Sequence, residues 1–138
     1  NEDEYLILAQ GNALLKYRDM TISGQRSEFN TLKGTVLFNN NVIFESDDYE
    51  IKGDKLDGNI EAEEFTFSGN STFISENIKA SADKIIYNQS EEMAYLEGNV
   101  NGNQNGREFS AQKISIDLNK EKIELSGNAK ISFTNKGE

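Results

Sequence analysis

A dipeptide step that recurs every 29 residues constrains this chain more than any other feature. Gly11-Asn12, Gly69-Asn70, Gly98-Asn99 and Gly127-Asn128 stand 58, 29 and 29 residues apart, and Asn40-Asn41 fills the middle of the long gap. Five copies of one step on one period mean a repeat architecture, in which a single unit cannot bury its apolar face without its neighbours. Other columns move with the step. Five and three residues before its second Asn stand Ile7/Ala9, Val36/Phe38, Phe65/Phe67, Ala94/Leu96 and Ile123/Leu125, and just after it come Ala13, Val42, Ser71, Val100 and Ala129. Midway through the period lies a second landmark. It pairs a small-residue column, Gly24, Gly53, Ala82 and Ala111, with a basic column two residues later, Arg26, Lys55, Lys84 and Lys113.

Between the landmarks apolar and polar residues alternate, as in Ile114-Ser115-Ile116-Asp117-Leu118, which is the period of a half-buried strand. No helical spacing is sustained. Before the second landmark the alternation runs through Ile22, Ile51, Ala80 and Phe109; after it come Phe29, Ile85/Tyr87 and Ile114/Ile116/Leu118, one residue out of phase. A slip of one residue beside a Gly or Ala is how a strand bulges or bends, and Asn tolerates left-handed backbone angles. Both landmarks therefore read as creases, Gly-Asn on one arm of each hairpin and small-x-basic on the other. Turn signals at Asn88 to Glu92, Asn105-Gly106 and Asn119-Lys120-Glu121 separate the arms, and the stretch Asn101 to Arg107 reads as a polar hairpin-like loop. The expected fold is all-β: a twisted antiparallel jelly roll, or taco, of two facing sheets, open at both ends, with residues 1–138 as a single repeat domain. Two strands per repeat at the usual interstrand spacing give a trough on the order of 40 Å long. The competing architecture is a parallel β-helix with stacked 29-residue coils; the two-arm mirror pattern favours the antiparallel one.

Composition removes several functions. The chain has no His and no Cys, so imidazole-based and thiolate catalysis are both impossible and disulfides are excluded. A net charge of −10 repels phosphate backbones, so no nucleic-acid partner is expected. No run approaches the roughly 18 apolar residues of a membrane span, and no basic-then-apolar leader stands at Asn1, so an exported protein would have had its leader removed. Asp47, Asp48, Asp54, Asp57, Glu61, Glu63 and Glu64 lack the spacing of a calcium loop and fall in strand columns, which makes them a solvated face. Neither a metal nor a cofactor is expected, and a carbohydrate-active enzyme would need a carboxylate pair that nothing singles out.

The stretch Ile78 to Phe133 resembles the OstA-like family of lipopolysaccharide-transport proteins, with LptA as its type and LptC and the N-terminal part of LptD as relatives. Ala82-Asp83-Lys84, Leu96-Glu97-Gly98-Asn99-Val100 and Leu125-Ser126-Gly127-Asn128-Ala129 carry the resemblance, and the repeat extends it to the N-terminal half, where Asn40 replaces the expected Gly and Gln25 stands in the place of Asp83. The resemblance implies a jelly roll whose cleft shelters lipopolysaccharide acyl chains across the periplasm, without catalysis, as a free bridge protein or the soluble part of an anchored relative. It also implies edge-to-edge assembly with itself or with related transport proteins. Unpaired strands at the ends of an unclosed repeat invite strand addition in any case, near Tyr5 to Ala9 and Ala129 to Phe133. The alternative function is a structural or adhesive β-repeat module that binds protein through those edges.

The candidates for the cleft lining are Val36, Phe38, Val42, Phe44, Phe65, Phe67, Phe73, Tyr87, Leu96, Ile114, Ile116, Ile123, Leu125 and Ile131. Each is equally suited to packing the two sheets against each other. The basic column has two readings as well: contacts to lipid phosphate or glycan, or protection of strand edges against aggregation.

Overall fold

The computed structural model describes residues 6–133, and every regular element among them is a β-strand. In order these are β1 (Leu6–Tyr17), β2 (Met20–Asn30), β3 (Thr35–Glu45), β4 (Tyr49–Asn59), β5 (Glu64–Ser75), β6 (Ile78–Asn88), β7 (Met93–Gln104), β8 (Arg107–Asp117), β9 (Lys122–Ser126) and β10 (Lys130–Phe133). Each strand from β1 to β8 pairs antiparallel with the next. β9 and β10 pair with the two halves of β8, as one strand interrupted at Gly127-Asn128. An antiparallel meander excludes the parallel β-helix. The supposed loop Asn101 to Arg107 is almost all strand, because β7 continues to Gln104 and only Asn105 and Gly106 turn.

The register slips once in every strand pair from β1 to β8, always at the landmarks. Asn39 pairs with Lys55 and Val42 with Gly53, leaving Asn40 and Asn41 opposite the single residue Asp54. Gly69-Asn70 does the same beside Asp54 and Asp83 on its two flanking strands, and Gly98-Asn99 beside Asp83 and Gln112. At each step both residues adopt positive φ, for example 83° at Gly98 and 50° at Asn99, and Asn40 keeps the same conformation at 69°. That explains the column: two successive left-handed residues favour Gly and Asn over every other type. The two landmarks are therefore the two sides of one crease. A Gly-Asn bulge on each odd strand lies beside a small-x-basic segment on each even one, and the line runs across the whole sheet.

The crease folds one continuous sheet into two facing layers joined along the crease, the taco expected from the sequence. Phe44 on β3 and Tyr87 on β6 are three strands apart, a separation of roughly 14 Å in a flat sheet, yet their ring centroids lie 5.1 Å apart. Phe44 also meets Phe65 and Phe67, two strands away, at 5.7 and 5.8 Å. One layer holds the segment of each odd strand before its bulge and of each even strand after it; the other layer holds the rest. Along the rim of the first layer the four-residue turns after β2, β4, β6 and β8 stack on one another. The carbonyls of Gly34, Glu63 and Glu92 accept from the amides of Ile60, Gln89 and Leu118 at 2.8, 2.8 and 2.9 Å. Asn30, Asn59, Asn88 and Asp117, again 29 residues apart, cap these turns by accepting backbone amide bonds on their Oδ1 atoms.

Candidate functional site

The space between the layers is an extended apolar surface formed by buried residues of every strand from β1 to β8. Because residues directly opposite on antiparallel strands share a face, every inward position adds to one stripe that runs the length of the sheet. Of the predicted lining, Val36, Phe38, Val42, Phe44, Phe65, Phe67, Phe73, Tyr87, Leu96, Ile114 and Ile116 are buried, at 0 to 3% exposure. Ile123 and Leu125 on β9 are half-buried against them. Ile131 departs from the expectation. It pairs opposite the buried Phe109 and so shares the inner face, but among the described residues it lies in the last row and is 59% exposed. Tyr5, expected at the other edge, lies outside the described residues.

Sequence reading missed a comparable share of the stripe on the even strands. Ile22, Ile51, Leu56, Ile78 and Ile85 are as deeply buried as the phenylalanines, and Val100 and Phe109 join them. Their alternation on either side of the small-x-basic landmark was the available signal. Two glycines shape the lining as well. A Cβ at Gly58 would lie 2.6 Å from the Phe65 ring, and one at Gly102 would lie 2.5 Å from Phe109, so each Gly makes room for the aromatic paired with it.

The stripe is uneven along its length. Phe38, Phe44, Phe65, Phe67 and Phe73 concentrate on β3 to β5, whereas β6 to β8 interleave Ala80, Ala82, Ala94 and Ala111 with Ile78, Ile85, Leu96, Phe109, Ile114 and Ile116; Tyr49 on β4 and Tyr87 on β6 stand at the rim. Where the rims meet opposite the crease, the Tyr49 hydroxyl donates to that of Tyr87. Burial raises the pKa of both phenols above the ordinary value of 10. Next to this pair a polar cleft is lined by Asp19, Asp47, Asp48 and Glu92. Arg18 reaches Glu63 at 3.7 Å across the rims, and the Asn77 amide donates to Glu121 at 2.7 Å. The basic column stays outside: Arg26, Lys55, Lys84 and Lys113 are exposed beside the crease, where Lys55 pairs with Asp57 at 3.7 Å. Among the described residues no cluster of carboxylates has the arrangement of a metal site.

Residues 21–122 match the model of the LptA/(LptD N-terminal domain) LPS transport protein family, which is more than half of the 138-residue chain. The chain belongs to this family. A solved structure of the LptA-like fold is similar throughout: LptH of Pseudomonas aeruginosa, the LptA homologous periplasmic component of a lipopolysaccharide transport device, superposes with a TM-score of 0.79. The match covers 84% of this chain and 95% of LptH at 13% sequence identity, so it is the fold that is held in common. No curated protein sequence matches the chain. Membership accounts for the unclosed, all-antiparallel sheet. No helix among the described residues is long and apolar enough to cross a membrane.

Proposed function

We propose that the chain, as a single domain, is a non-enzymatic periplasmic carrier or bridge for lipopolysaccharide and holds acyl chains between its two layers. The observation that carries this reading is the unbroken inward stripe of apolar residues, from Ile22 and Val36 to Ile116, inside a sheet that never closes into a barrel. A structural module needs a core only thick enough to be stable. A stripe that continues to half-buried Leu125 and exposed Ile131 at the end of the sheet is suited to passing an apolar chain onward. About ten methylenes transferred between the layers recover roughly 8 kcal/mol, enough to offset the contacts they displace. The net charge of −10 favours acyl burial over headgroup pairing as the source of affinity.

Assembly with another copy or a related transport protein uses the sheet's edges in this proposal. The outer edge of β1 is unpaired, and Leu6, Ile7, Leu8 and Leu14 on it are exposed. The same edge favours the second reading, a module that binds protein by strand addition. A photoreactive phenylalanine analogue at Phe67, compared with one at outward Lys52, separates the two. Cross-linking of lipid A from position 67 alone supports the carrier. Equal or absent cross-linking at both positions, with concentration-dependent end-to-end association intact, supports the module.

A further inference from the structure

We propose that acyl chains enter sideways, through the seam between the two rims, and that Arg18–Glu63, Tyr49–Tyr87 and Asn77–Glu121 latch that seam shut. The proposal rests on the carrier reading and adds the route and its gate.

Three observations lead to it. First, the interior is filled. Phe44, Phe65, Phe67 and Leu96 have no exposure, and rings from opposite layers stand 5.1 to 5.8 Å apart between centroids. A chain threaded from one end would have to displace each row in turn, whereas parting the rims exposes the stripe along its length. Second, the crease is built as a hinge. Two successive left-handed residues on each odd strand interrupt the ladder on one common line, so the layers can pivot there with the pairing inside each layer intact. Third, the polar contacts across the rims are mostly exposed and weak. The Arg18 and Glu63 side chains are 59% and 25% exposed, and the hydrogen bonds to Glu121 from the Asn77 and Gln104 amides, at 2.7 and 3.0 Å, are also exposed. Between them the Tyr49–Tyr87 bond is flanked by Asp19, Asp47, Asp48 and Glu92, like charges that oppose closure.

Turn chemistry points the same way. Gly34, Glu63, Glu92 and Glu121 occupy equivalent left-handed positions, with φ of 70°, 55°, 55° and 53°. Gly suits that conformation and Glu does not. Strained residues that persist point to a local role, and Glu63 and Glu121 each hold a latch contact on the opposite rim.

The chain has no cysteine, so the seam can be stapled cleanly. Asn77→Cys/Glu121→Cys bridged by a short bismaleimide closes it, and Lys52→Cys/Thr72→Cys, on paired strands of one layer, gives a staple that leaves it free. Uptake of fluorescent lipid A should proceed in the unbridged variants and the one-layer staple and fall at least tenfold in the seam staple. Undiminished uptake by the seam staple would overturn the gate and leave the carrier intact; absence of uptake by the wild-type chain would remove the carrier and the gate together. Tyr87→Phe supplies a second test, since loss of one net hydrogen bond should speed loading about fivefold. An unchanged loading rate would mean that the tyrosines do not latch.

Discussion

Replacing Gly98 with Ala tests the crease at its most constrained point. The φ of +83° places an L side chain in the left-handed region, which costs about 1–2 kcal/mol. The added Cβ would lie 2.6 Å from Oδ2 and 3.0 Å from Cβ of Asp83, so Asp83 must move and give up its 3.1 Å bond from the Asn99 amide. An exposed hydrogen bond of this kind is worth about 1 kcal/mol, which brings the expected loss to about 2–3 kcal/mol. Gly11 supplies the control, because φ is +74° there but nothing lies within 4 Å of a new Cβ. Gly11→Ala should therefore lose only the backbone contribution. Urea unfolding of Gly11→Ala, Gly98→Ala, Asp83→Gly and the Gly98→Ala/Asp83→Gly double variant completes the comparison, with a coupling of about 1 kcal/mol expected in the cycle. Equal losses at Gly11 and Gly98 with no coupling to Asp83 would refute the packed crease, and a loss under about 0.5 kcal/mol at both would refute the left-handed requirement itself.

Four further outcomes are expected. Phe44→Ala removes the ring that touches Phe65, Phe67 and Tyr87 across the layers and should destabilise by about 3–5 kcal/mol in denaturant titration; a loss below about 1 kcal/mol would mean the layers are not packed through it. Ser71 is fully buried and its hydroxyl has no hydrogen-bond partner, so Ser71→Ala should stabilise by about 1 kcal/mol, read as a higher urea midpoint at constant slope. Glu92→Gly relieves a left-handed residue and removes a charge from the acidic cleft, and should raise the melting temperature by a few degrees, about 1 kcal/mol. Burial raises the folded pKa of Tyr49 and Tyr87, so their contribution to stability is fully present below the unfolded value near 10 and is lost as pH rises above it; the double Phe variant should flatten the alkaline limb of a stability profile, and an unaltered limb would show that these phenols do not titrate with unfolding.

Much of the fold was legible because the features that define a strand and its bulge recur on the chain's own period. Asn12, Asn41, Asn70, Asn99 and Asn128 announce the crease through a conformational preference that does not depend on neighbours. The inward column before each bulge was equally plain, since alternation places residues on a face without reference to the third dimension. What the sequence hid is set by contacts between layers. Tyr49 meets Tyr87 after 38 residues and Asn77 meets Glu121 after 44, neither a multiple of 29, because the opposing rim comes from a later hairpin. Columns spaced by the repeat period never bring such partners into line. The turn caps Asn30, Asn59, Asn88 and Asp117 do obey the period and are readable as Asx turns. Ile131 could not be assigned from its column, because burial there depends on the row beyond it.

Under the proposed carrier function the interior serves both as the protein's own core and as a container for acyl chains, and the distribution of side chains reconciles these demands. Separating two layers exposes apolar surface in proportion to its area, at about 25 cal/mol per Å². The phenylalanine rows of β3 to β5 therefore resist parting strongly, and the rows that hold Ala80, Ala82, Ala94 and Ala111 on β6 to β8 resist less. Strand ladders hold each layer without help from the other, and stacked, capped turns reinforce the first layer, so loss of contact across the seam need not unravel the strands. The creased sheet thus divides its stability. Ladder bonds belong to each layer and side-chain packing belongs to the pair, so an acyl chain entering by the proposed route would replace the second while leaving the first in place.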